Sequence, residues 1–179
     1  MKKIFILISL SLFIASIESC REKYLVSHDQ EIIFQMDYVN HAWGYQHYGF
    51  MIDNLGRVLT YDNPEKWNFA DDNFILTEKQ IVENISMCRI SAEKISAEEL
   101  SRFSSYIDKI ASSKLSALRN TGADAGTTHF ICYKFSENSL MYKGFIIKTE
   151  GDFTAENLNF YSKKVVSWMK DIEQTVVSR

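Results

Sequence analysis

The chain has few structure breakers: one proline, Pro64, and seven glycines in 179 residues. That scarcity excludes collagen-like and proline-rich architectures. With 46% hydrophobic and 13% aromatic residues, the composition suits a packed globule rather than a disordered stalk. Three cysteines, Cys20, Cys88 and Cys132, are too few for a disulfide-framed scaffold. Neither sign of charge dominates, and a formal net charge of −3 gives no electrostatic ground for nucleic acid as a partner. The sequence also lacks the common marks of catalysis. The loop from Gly122 to Gly126 has neither the lysine nor the Ser/Thr of a phosphate-binding loop. There is no Gly-x-Ser-x-Gly elbow and no His-Glu-x-x-His pair. The four histidines, His28, His41, His47 and His129, have no familiar metal-ligand spacing. Asp71-Asp72 sits in no alternating acidic loop of the calcium-binding kind, and Glu98-Glu99 is accounted for by a helix N-terminus. No catalytic residue, metal site or cofactor is expected.

What is present begins at the N-terminus. Lys2 and Lys3 precede an apolar run over residues 4–17, which matches the charged and hydrophobic regions of an export signal. The run is shorter than the roughly 20 residues a spanning helix needs. It ends in Ile17-Glu18-Ser19-Cys20, which resembles the lipobox of bacterial lipoproteins: an aliphatic residue, a tolerant position, a small residue, then cysteine. Glu18 departs from the small or apolar residue usual at its position. Ordinary signal-peptidase cleavage after Ser19 would instead put Ile17 where a small residue is preferred. The resemblance implies cleavage before Cys20, diacylglycerol on its thiol and a membrane contact through the N-terminal lipid. Residues 1–19 are then a cleaved signal, 20–30 a lipidated tether and 31–179 one domain. Loss of Lys2, Lys3 and Glu18 moves the net charge to about −4. The expected location is the cell envelope, with the outer membrane as the default and the face left open.

Along the domain, Ile32, Phe34, Met36 and Tyr38 alternate with polar residues such as Gln35 and Asp37, the period of a half-buried strand. Gln46 to Asp53 and Arg57 to Asp62 flank Asp53-Asn54-Leu55-Gly56, a hairpin turn. An aromatic-rich connection over residues 63–76 is expected to fold back on the domain, because leaving it solvated would expose much apolar area. Thr77-Glu78-Lys79-Gln80 and Ser96-Ala97-Glu98-Glu99 read as capping boxes opening two helices. Two further strands, Thr128 to Phe135 and Leu140 to Thr149, precede a last helix from about Thr154 to Gln174. The expected fold is α+β, with a largely antiparallel sheet of about five strands in the order β-β-β-α-α-β-β-α and helices packed on one face.

Two groups of residues hold functional interest. Trp43, Tyr45, His47 and Tyr48, with Trp67 and Phe69 from the long connection, either form an aromatic surface or fill the core beneath that connection; the general burial of large aromatics favours the second. Cys88 and Cys132 are either a disulfide of an oxidising compartment or two buried thiols, the second being favoured. Trp43-Gly44-Tyr45, leading into Gly49-Phe50-Met51-Ile52-Asp53 and Gly56-Arg57-Val58, resembles small envelope lipoproteins of Gram-negative bacteria, a likeness that implies no activity. The preferred reading is a non-catalytic module binding a protein of the envelope, with toxin immunity as one form. The alternatives are a glycan-binding lipoprotein using Trp43 and Tyr45, and an unmarked hydrolase, whose sign would be a cleft where His47 or His129 meets a carboxylate. The sequence leaves the oligomeric state open.

Overall fold

The computed structural model describes residues 26–27 and 29–177. The expected export signal, Cys20 and His28 therefore lie outside the described residues. Among the described residues no helix is long and apolar enough to cross a membrane.

The first three strands follow most of the alternation of the sequence: β1 (Ile32–Asn40), β2 (Gln46–Asp53) and β3 (Arg57–Asp62) form a meander, although a register shift between Ile32 and Phe34 puts Ile32 in the core opposite Phe34 and Met36. The turn between β2 and β3 closes because Asp53 Oδ1 accepts the backbone N–H groups of Leu55 and Arg57. Gly56 there has φ +74, a conformation glycine adopts without steric cost, and its missing side chain admits the Ile95 carbonyl. The chain then runs through the aromatic connection to β4 (Ile75–Thr77) and α1 (Glu78–Ser86). Thr77 and Gln80 close the reciprocal capping box that opens α1. Next come β5 (Arg89–Lys94), α2 (Ala97–Ser104), α3 (Ile107–Ala111) and β6 (Arg119–Asn120). A long hairpin of β7 (Thr127–Ser136) and β8 (Met141–Gly151) follows, then β9 (Phe153–Glu156) and α4 (Ser162–Val176).

These strands make one nine-stranded sheet, in the order β5-β3-β2-β1-β7-β8-β9-β6, with β4 also paired to β8; every named strand pairing is antiparallel. The expected five-strand domain in the order β-β-β-α-α-β-β-α is thereby corrected. Four short strands were missing from it, each pairing as an addition to β3, β8 or β9. Segments of two to six residues, mostly exposed, carry too little period-two patterning to read as strands. The last helix consequently starts at Ser162 rather than near Thr154, because Ala155 and Glu156 pair with Thr149 and Lys148 of β8.

Helices on one face is the second correction. Alternation along the strands separates two cores. Phe34, Met36, Phe50, Ile52, Phe130 and Cys132 pack against α2, α3 and α4, where Trp168 stacks on Phe103 at 4.1 Å. Met51, Leu59, Tyr61, Ile131 and Tyr133 face the other way, under Ile81 and Ile85 of α1 and under Trp67, Ala70 and Phe74 of the long connection. The aromatic connection is thus the lid of the sheet's second face.

Candidate functional site

The second face holds an unusual set of polar side chains. Gln35 and Asp37 of β1, His47 of β2, Tyr61 of β3 and Tyr133 of β7 project to the same side as the apolar residues just named, and all five are buried. Their hydrogen bonds form one network. His47 Nε2 lies 2.9 Å from Asp37 Oδ1, the Tyr61 hydroxyl donates to the same oxygen at 2.6 Å, and Gln35 Nε2 donates to it at 3.3 Å. The Tyr133 hydroxyl donates to Gln35 Oε1 at 2.6 Å. Burial, reinforced by the Asp37 charge, holds the Tyr61 and Tyr133 hydroxyls well above the usual tyrosine range, so both remain donors.

Around His47 stands a ring of aromatics. Its imidazole is 5.2 Å from Trp67, 5.2 Å from Tyr61, 5.1 Å from Phe69 and 6.1 Å from Tyr45, centroid to centroid. His47 is 0% exposed, and its Nδ1 has no hydrogen-bond partner among the described residues. The geometry assigns the ring proton to Nε2, where Asp37 accepts it; a proton on Nδ1 would be buried without an acceptor.

Beside this network, between the connection and the sheet, lies a cavity of about 350 Å³. Gln35, Asp37, His129, Ile131 and Tyr133 supply its sheet side; Trp67, Phe69, Asp71, Asp72 and Phe74 are on the loop side. Phe74 is held at φ +58, a left-handed conformation costly for a bulky residue. Asp71 anchors it there, its carboxylate accepting the N–H groups of Asn73 and Ile75 while the Phe74 N–H donates to the Asp71 carbonyl. His129 Nδ1 is 3.1 Å from the Thr149 hydroxyl. Burial lowers the pKa of His129 from its ordinary value, and the Asp37 charge only partly offsets that.

Of the residues singled out in the sequence, Tyr45, His47 and Trp67 come together here. Trp43 stands at the tip of the same β1–β2 turn, 80% exposed, with Tyr45 at 49% and Phe69 at 52%. Tyr48 does not join them: it points to the opposite face, where its ring meets Tyr38 at 4.5 Å. Cys88 and Cys132 are free thiols in different cores, Cys132 buried among the residues facing the helices and Cys88 partly buried against the second core just after α1. The sheet separates them, so the disulfide considered from the sequence is not made. His129, named with His47 in the hydrolase alternative, lines the same cavity as Asp37, whereas Gln35, Asp37, Tyr61 and Tyr133 were not anticipated as site residues. The signal available for the first two was the aromatic connection itself, which needed a face to cover.

Among the described residues no group of three or more His, Cys, Asp or Glu side chains is placed to hold a metal ion. Comparison of the chain with protein-family models, with curated proteins and with solved structures finds no match.

Proposed function

We propose that this chain is a lipid-anchored, non-catalytic binding module of the bacterial cell envelope that recognises a protein partner through the aromatic end of its second face. The observation that carries the reading is Trp43: a large ring 80% exposed on a short turn, two residues before the half-exposed Tyr45, whose ring shares the His47 neighbourhood with the half-exposed Phe69. Exposed aromatics with polar edges dominate protein-recognition energetics, and the burial that ordinarily claims them is absent here. The network lies behind them, linked to the turn where the His47 ring meets that of Tyr45 at 6.1 Å.

The His47–Asp37 pair has the geometry of a base and its orienting carboxylate, but among the described residues neither the imidazole nor a cysteine thiolate is available to a substrate. His47 is fully enclosed, and burial pushes both Cys88 and Cys132 up to about 12. The lipobox Ile17-Glu18-Ser19-Cys20 supplies the anchoring half of the proposal. A secreted toxin neutralised at the membrane is one partner of the class. Glycan stacking on the exposed Trp43 ring is the second reading, resting on the same exposure.

The test is site-specific photo-crosslinking in intact envelopes, with the photoreactive residue at the exposed His41 beside Trp43. The expected result is a discrete protein adduct that disappears when Trp43→Ala is added. Mass spectrometry of the same preparation should find Cys20 acylated at the N-terminus. Reproducible absence of an adduct, with binding to a glycan array that Trp43→Ala abolishes, would replace the protein by a glycan.

A further inference from the structure

The cavity under the connection has a chemical preference that the exposed rings do not express. Asp37 is 8% exposed, and its hydrogen bonds from His47, Tyr61 and Gln35 all converge on Oδ1. Oδ2 accepts none from the described residues, and Asp37 lines the cavity. All three donors lie on Oδ1, which leaves Oδ2 as an acceptor in the lining of the cavity. A buried carboxylate in that state retains a strong attraction for a cation.

The rest of the cavity points the same way. Asp71 and Asp72 add two exposed carboxylates, and no lysine or arginine is among the lining residues. Trp67, Phe69, Phe74 and Tyr133 supply aromatic walls, whose ring faces attract cations, most strongly where water is excluded. Burial favours the neutral form of His129, so that side chain does not supply the missing positive charge. The volume, about 350 Å³, falls at the small end of ligand-sized pockets. Together these features describe a receptor for one extended, positively charged group.

We propose that the cavity receives a basic side chain, lysine or arginine, presented by the protein partner. The inference rests on the protein-binding reading and names the chemistry of the contact: Trp43, Tyr45 and Phe69 engage the partner's surface while Asp37 Oδ2 and the aromatic walls take the cationic group. A desolvated charge pair of this kind sets specificity, because a partner lacking the basic residue leaves the carboxylate unpaired.

The experiment uses the full chain purified in detergent, titrated with n-propylguanidinium and n-butylammonium as side-chain surrogates and with n-propylurea as the neutral control. Saturable binding of the two cations, with none of the urea, is expected. Asp37→Asn should weaken cation binding roughly thirtyfold or more, the low end for truncating one member of a buried charge pair. Because that variant disturbs the network, Phe69→Ala provides a second test at a half-exposed wall, with an expected loss of about threefold or more. Saturating n-propylguanidinium should also abolish the protein adduct at His41. Equal binding of the urea, or cation binding unchanged in both variants, would overturn the inference. Adducts that form undiminished with the cavity saturated would overturn it while leaving the protein-binding reading intact. Cation binding without any adduct would count against that reading instead.

Discussion

Tyr61 reaches across an intervening strand to donate its hydroxyl to Asp37 at 2.6 Å, and Gly49 is the residue that lets it pass. In register, Gly49 of β2 sits directly between the two, opposite Asp37 of β1 on one side and Tyr61 of β3 on the other. A Cβ at position 49 would meet the Met36 carbonyl oxygen and come within 2.6 Å of the Tyr61 hydroxyl. The polar network of the second face therefore depends on a position with no side chain at all.

Gly49→Ala is expected to destabilise the fold by about 1–3 kcal/mol, the cost of overpacking a well-filled core. The backbone at Gly49 carries no positive φ, so the effect is steric, through the contacts just described. Denaturant unfolding of the single variants and of Gly49→Ala/Tyr61→Phe checks it. The double variant should lose less than the sum of the two, because the phenylalanine removes the hydroxyl contact, while that with the Met36 carbonyl remains. Strict additivity would mean that Gly49 and Tyr61 do not compete for that space.

Acid should destabilise the protein through His129. Its pKa is lowered in the folded state, chiefly by burial, against an ordinary value of 6.5. A histidine kept neutral by folding contributes stability that is fully present above its unfolded pKa. That stability is lost as pH falls below about 6.5 toward the folded value, with a slope of at most about 1.4 kcal/mol per pH unit. The groups facing it are Asp37 from β1, Phe74 from the connection and Thr149 from β8, with Asp71 and Asp72 in the same cavity. Stability measured between pH 7.5 and 5 should fall more steeply in the native sequence than in His129→Gln. Parallel curves would sink the assignment.

The two core thiols should be inert in the folded protein. Burial pushes Cys88 and Cys132 up to about 12, so almost no thiolate exists at pH 8. Treatment with an aromatic disulfide reagent followed by peptide mapping should find both unlabelled until denaturant is added. The non-reduced map should contain no peptide joining them. Rapid native labelling of Cys132 would contradict its place in the core.

Trp43→Ala should leave stability within about 0.5 kcal/mol of the native value, since the ring is 80% exposed and far from a core role. The same substitution should remove partner recognition. Thermal unfolding and the crosslinking yield at His41, measured on one preparation, separate the two effects. A large drop in stability would show that the ring packs rather than recognises.

Much of the framework was legible because it is local. The alternation of β1, the hairpin turn at Asp53 to Gly56 and the Thr77–Gln80 capping box each rest on hydrogen bonds and spacings within a few residues. The helix opened at Ser96 was also readable, although the structure divides the segment into α2 and α3 at Ser105, with Leu100, Phe103, Ile107 and Ile110 buried. The short edge strands were not legible. β5 and β9 form because β3 and β8 offer unpaired backbone groups, and nothing in their own patterning announces it.

The candidate site shows the same division more sharply. Periodicity alone placed Gln35 and Asp37 on the side of β1 opposite Phe34 and Met36, and the structure agrees. Periodicity could not say that this side is covered as well, since its cover comes from Trp67 to Phe74, about thirty residues further along the chain. A period-two pattern distinguishes the two faces of a strand, whereas burial depends on what the rest of the chain lays against each face. Sequence spacing therefore determined strands β1, β2, β3, β7 and β8 and the hairpin turn. Only tertiary packing turned an aromatic loop and an ordinary polar face into an enclosed carboxylate walled by rings.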